Sequence, residues 1–120
     1  MQRRRDEELA DRFLDFSVRI VKLVDGLPKT SVGKHIGRQI LSSGTSPGAN
    51  YEEARGSESN ADFIHKLSIV LKELKESRYW LQVIQRTFPA SNEKIESLKD
   101  ECEQLIAIIA KSISMARKRK

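Results

Sequence analysis

Three groups of residues in this chain are of types that could do chemistry: Gly44 and Gly48 around Pro47, the pair Asp62 and His65, and the lone Cys102. A phosphate-cradling loop needs G-x-x-x-x-G-K-[ST] after a buried strand. In the stretch SSGTSPGANYEEARGSES, Ser42 to Ser59, the two glycines are four apart, no lysine follows and no strand pattern precedes, so it is not such a cradle. Asp62 and His65 have the i, i+3 spacing of part of a di-iron site, which needs a second acid–histidine pair and two further carboxylates. The only other histidine, His35, has no Glu three residues before it, so no metal centre is expected. Cys102 falls on an apolar seam with neither histidine placed beside it, and reads as a small buried thiol. Being single, it forms no internal disulfide. No cofactor and no enzymatic activity are expected.

The elements around these residues are helical throughout. Leu9, Phe13, Phe16, Ile20, Leu23 or Val24, and Leu27 recur in alternating steps of four and three, the face of a helix that stops at Gly26 and Pro28. Phe63, Leu67, Val70, Leu74, Ser77, Leu81, Ile84 and Phe88 repeat the pattern after the capping residues of Ser57 to Asn60 and end at Pro89. A further seam runs through Ile95, Leu98, Cys102, Leu105, Ile109, Ser112 and Met115 or Ala116, starting from a cap at Ser91 or Asn92. Between them Val32, Ile36 and Ile40 set a stripe that continues in phase through Ser43, Pro47, Asn50 or Tyr51, and Ala54. The phase favours one helix, while Pro47 would cost about 3 kcal/mol in a free helix interior. The pattern alone leaves open both a continuous helix and a break near Gly44 to Pro47. Gly33, Gly37, Gly44 and Gly48 form an adjacent stripe that would let a neighbouring helix come close.

Residues 1–120 therefore read as a single all-α domain with helices at roughly 6–26, 30–56, 59–88 and 91–117 and basic tails at both ends. Short links make sequential helices antiparallel neighbours, giving an up-down-up-down four-helix bundle. Asn50, Glu53, Ser77 and Arg78 fall at or beside its core and must be paired; a Glu53–Arg78 or Asn50–Ser77 contact between the second and third helices would fix their register. Ile69, Trp80, Val83 and Ile108 lie one step off the seams, as a wide core stripe or as an oligomer or partner face.

The net charge of +5 is carried by the ends, since Arg3, Arg4, Arg5 and Arg117, Lys118, Arg119, Lys120 are seven of the 22 basic residues and the body holds 17 acids. No apolar run approaches the roughly 18 residues that span a bilayer, and MQRRRDEEL lacks the apolar stretch of a secretory signal, so a cytoplasmic protein without membrane contact is expected.

From Ser42 to Leu81 the sequence is SSGTSPGANYEEARGSESNADFIHKLSIVLKELKESRYWL, about a third of the chain. This stretch resembles the small bacterial four-helix-bundle family of 23S rRNA intervening-sequence proteins, also called S23 ribosomal proteins. Members are similar to an accessory protein of diversity-generating retroelements, a ring-like homopentamer that binds nucleic acid and a reverse transcriptase through basic surface. The resemblance implies a second helix continuous through Pro47, a pentameric homo-oligomer and a non-catalytic role linked to RNA or DNA. The expected function is phosphate-backbone binding through Arg3, Arg4, Arg5, Lys34, Arg38, Arg117, Lys118, Arg119 and Lys120. The alternative is a protein-interaction scaffold that presents Trp80 or the groove beside the glycine stripe to a protein partner.

Overall fold

The computed structural model describes residues 2–89 and 92–119, apart from the side chains of Gln2 and Arg3. Four helices follow one another: α1 Gln2–Asp25, α2 Ser31–Arg55, α3 Asn60–Thr87 and α4 Asn92–Arg117, and among the described residues there is no strand. Each packs on the next and α1 touches α4 most thinly, in a rod of 50 × 23 × 18 Å. This is the all-α, up-down-up-down four-helix bundle.

Local chemistry sets the boundaries. Thr30 caps α2 by accepting the Gly33 amide at 3.1 Å, and Ser59 caps α3 by accepting the Asp62 amide at 3.1 Å. Phe88 closes α3 with a 2.7 Å bond from its amide to the Ile84 carbonyl, and Pro89 cannot continue the helix. Asn60 donates to the Ala116 carbonyl at 2.8 Å, beside the Arg119 amide that the same oxygen accepts at 3.1 Å, and so ties the end of α4 to the start of α3. The N-terminal arginines are not a tail: α1 begins at Gln2 and includes them.

α2 runs unbroken through Pro47. Proline cannot donate to the Ser43 carbonyl, but the helix buries Ile36, Ile40, Pro47, Tyr51 and Ala54 on one face, and each large apolar side chain contributes on the order of 2 kcal/mol. The glycine stripe lies against α1. A methyl group on Gly44 would sit 2.7 Å from Ile20 Cγ2, one on Gly37 3.2 Å from Val24 Cγ1, and one on Gly48 3.3 Å from Ser17 Oγ. Without Cβ atoms there, α1 seats its side chains directly on the α2 backbone.

Two stripe positions differ from the sequence expectation. Val32 is exposed and Gly33 buried, because the first turn of α2 tucks its glycine against the Pro28 carbonyl. At the far end of α4 the seam passes through Ile113 and Ala116, leaving Ser112 half-buried and Met115 exposed, as a 3.6-residue helix drifts from a strict heptad.

Candidate nucleic-acid interface

The polar residues near the core pair differently from the sequence expectation. Ser77 is fully buried; its hydroxyl donates to the Glu73 carbonyl at 2.9 Å and meets the Ser43 hydroxyl, not Asn50, at 3.1 Å. Asn50 turns back along α2 to the Ser46 carbonyl at 3.0 Å. Glu53 is exposed and pairs with Lys66 at 2.6 Å, while Arg78 pairs with Glu103 of α4 at 2.7 Å. The physical reason is angular: Lys66 and Arg78 leave α3 on opposite flanks, one towards α2 and the other towards α4. Among the described residues, no buried side-chain nitrogen or oxygen lacks a partner.

Cys102 sits between α3 and α4 with its thiol donating to the Leu74 carbonyl at 3.2 Å. Burial pushes it up to about 12, so it stays a thiol. Burial likewise raises the Tyr51 phenol to about 12, where its ring stacks on Phe13 at 5.1 Å. His35 and His65 are exposed near opposite ends of the bundle, and no three His, Cys, Asp or Glu side chains converge among the described residues.

Ile69, Trp80, Val83 and Ile108 are all half-buried. Trp80 and Val83 pack against the core. The Trp80 indole donates to Glu76 at 3.2 Å and meets the His35 ring edge-on at 6.3 Å. The apolar side chains that project furthest lie elsewhere. Leu14 is 63% exposed and lines a shallow groove between α1 and α2 with Ala10, Ser17, Thr45 and Ala49. Val18 and Val21 continue its stripe along α1, and Leu41 stands on the facing flank of α2 beside Gly37. Their spacing of four and three is the sequence signal of a second α1 stripe.

The topology divides the expected cations. α1 begins, α2 ends, α3 begins and α4 ends at one pole, so Arg4, Arg5, Arg117, Lys118 and Arg119 are exposed there. Lys34 and Arg38 are exposed at the opposite pole and cannot share a contact with them. Lys120 and the Arg3 side chain lie outside the described residues.

A second groove lies between α3 and α4. Ser68, Leu71, Ala110, Ile113, Ser114, Arg117 and Lys118 line an open groove at the pole where α4 ends. Lys72, Lys75 and Lys111 stand exposed on the same two helices. None of these cations is in a salt bridge among the described residues. The chain has no acid after Glu103, and from His65 to Thr87 every exposed residue of α3 is neutral or basic. Glu73 and Glu76 are interleaved with these lysines in sequence and are half-buried, with the Glu76 carboxylate accepting from the Trp80 indole.

The profile of the 23S rRNA-intervening sequence protein family matches residues 5–111. The chain belongs to that family. Among solved structures it is similar to a protein with unknown function from the S23 ribosomal protein family of Bacteroides thetaiotaomicron VPI-5482. That protein is 39% identical, with a TM-score of 0.83 over 91% of this chain and 97% of the other. Among curated proteins, none matches this chain.

Proposed function

We propose that this chain is a non-catalytic, homo-oligomeric nucleic-acid-binding module of the bacterial cytoplasm that holds RNA or DNA by its phosphates. The observation that carries this reading is the groove at the end of the α3–α4 face beyond Glu103, lined by Arg117, Lys118 and Ser114, with Lys72, Lys75 and Lys111 exposed on the same two helices. Unpaired cations beside small polar side chains suit phosphate oxygens and read no bases. Arg4, Arg5 and Arg119 extend the charge across the same pole. Assembly into a homopentamer, as the family resemblance implies, would repeat the face and multiply a weak contact by avidity. The exposed α1–α2 apolar stripe of Leu14, Val18, Val21 and Leu41 supports self-association.

Fluorescence anisotropy of labelled RNA and DNA across a salt series tests the reading. Log affinity falls linearly with log salt, and replacing Lys111, Arg117 and Lys118 by Gln lowers that slope by roughly 0.7–0.9 for each phosphate that is no longer neutralised. Binding that ignores salt, or is unchanged in the triple variant, overturns it.

The second reading, a protein-interaction scaffold, is favoured by the same α1 stripe if a different protein covers it. Light scattering separates the two: a monomer that stays monomeric at high concentration leaves that stripe without a second copy.

A further inference from the structure

The phosphate reading concerns charge and leaves Tyr79 unexplained. This side chain is 57% exposed in the middle of α3's outer face, away from the apolar α1–α2 stripe. Its ring is not loose: it meets the Trp80 ring edge-on at 5.1 Å and an interplanar angle of 76°. Trp80 is anchored in turn by its 3.2 Å bond to Glu76 and its contact with His35 of α2. An aromatic ring held in place and still open to solvent is a preorganised platform.

Its neighbours along the helix define what it would stack on. Lys72 and Arg86 stand one heptad either side of Tyr79, about 10 Å along the axis, and Lys75 one turn away. All three are exposed and free of salt bridges among the described residues, whereas the Arg78 charge is taken up by Glu103. The exposed residues of this stripe, His65, Lys72, Lys75, Tyr79, Gln82 and Arg86, include no acid, and the half-buried Glu76 at its edge is engaged by the Trp80 indole. A ring flanked by cations fits a nucleobase flanked by phosphates. In a duplex the base faces are covered by stacking and only edges reach the grooves, so a ring on a convex helix face meets none of them.

We propose that the outer face of α3 binds single-stranded nucleic acid, with Tyr79 stacking on an unpaired base while Lys72, Lys75 and Arg86 hold the phosphates to either side. This rests on the phosphate-binding reading and adds to it a strand preference and a base contact. RNA and DNA single strands share the chemistry.

The test compares oligo(rU), oligo(dT) and a duplex of equal length on the wild-type protein, Tyr79→Phe and Tyr79→Ala. Circular dichroism melts confirm that the exposed substitutions leave the fold intact. The wild type binds the single strands more tightly than the duplex. Tyr79→Ala weakens both single strands by about tenfold, within what one base–aromatic stack is worth, and leaves the duplex unchanged. Tyr79→Phe, which keeps the ring, stays close to wild type. The emission of Trp80, the only tryptophan, changes on single-strand binding and not on duplex binding. The ratio of oligo(rU) to oligo(dT) affinity reports which sugar is preferred. Equal single-strand affinity in Tyr79→Ala with a steep salt slope overturns the stacking role and leaves the phosphate reading standing. A Tyr79→Ala protein that changes mass in light scattering but not affinity assigns the ring to a contact between copies, and also overturns it. No binding by the wild type at low salt removes both readings.

Discussion

The α1–α2 pair and the α3–α4 pair are both antiparallel neighbours, but they are spaced by different means. On α2 the spacing is set by missing side chains: Ile20, Ser17 and Val24 rest where Gly44, Gly48 and Gly37 have no Cβ. On α3 and α4 it is set by side chains that span the gap, with Cys102 on the Leu74 carbonyl, Arg78 on Glu103 and Lys99 on Gln85. The first pair is tightest at Gly44 and shows apolar side chains outside. The second opens into a groove with cations around it. Both pairs carry an open groove, but the α1–α2 groove is bordered by the exposed Leu14 and the α3–α4 groove by Arg117 and Lys118.

The largest expected effect breaks the first seam. Gly44→Val places branched volume against the Ile20 side chain, already 2.7 Å from a single methyl, and lowers stability by about 3 kcal/mol. Chemical denaturation measures it. Gly26→Ala, whose methyl would meet its nearest atom at 3.6 Å, raises stability by about 0.5 kcal/mol and serves as the control. If the two variants unfold alike, the glycine stripe does not set the spacing.

Alkali probes the buried groups of both pairs. The Cys102 thiol is raised from 9.0 and the Tyr51 phenol from 10.0, each to about 12 by burial. A raised acid favours the folded state below its ordinary value, and that advantage is lost as pH climbs towards the folded value. The denaturation midpoint therefore falls between about pH 9 and pH 12, and Cys102→Ser removes part of the fall. Maleimide at neutral pH labels Cys102 only when the protein is unfolded.

The next effect concerns assembly. Leu14→Glu with Val21→Glu puts charge on the exposed α1 stripe and lowers the mass seen by light scattering without lowering the melting temperature. An unchanged mass would free that stripe from any role between copies. The smallest effect is at the thin α1–α4 contact, where Arg12 holds Glu101 through two bonds of 2.7 and 3.0 Å and Arg19 reaches Ser97 at 2.7 Å. Arg12→Ala costs about 1 kcal/mol, much less than Gly44→Val. A larger loss would make polar clasps, and not glycine packing, the main hold on α1.

The bundle is legible in the sequence because helix periodicity is a local property. Phe13, Phe16 and Ile20 on α1, like Leu67, Leu74 and Leu81 on α3, announce buried faces by spacing alone, and all are buried. Continuity through Pro47 is not legible from pattern, since the cost of proline is local and its compensation is contact with the rest of the bundle. The polar pairs differ from expectation for a related reason. Periodicity says that Arg78 lies beside the core but not which flank it leaves by, and a rotation of one flank exchanges Glu53 for Glu103. Linear charge clusters group Lys34 and Arg38 with Arg117 and Lys118, although the topology sets them at opposite poles. Lys72, Lys75, Lys111 and Tyr79 give no such signal, because each is ordinary alone.

By itself, the sequence determined four amphipathic helices, a cap for α3 within Ser57 to Asn60, and an antiparallel order, since side-chain spacing, hydroxyl capping and short links act between near neighbours. The tertiary structure alone decided which helix packs on the glycine stripe, which ions pair, and that Tyr79 stands exposed on α3 among unpaired cations. Those outcomes depend on the rotation of each helix about its own axis, which is set by packing against residues far away in the chain.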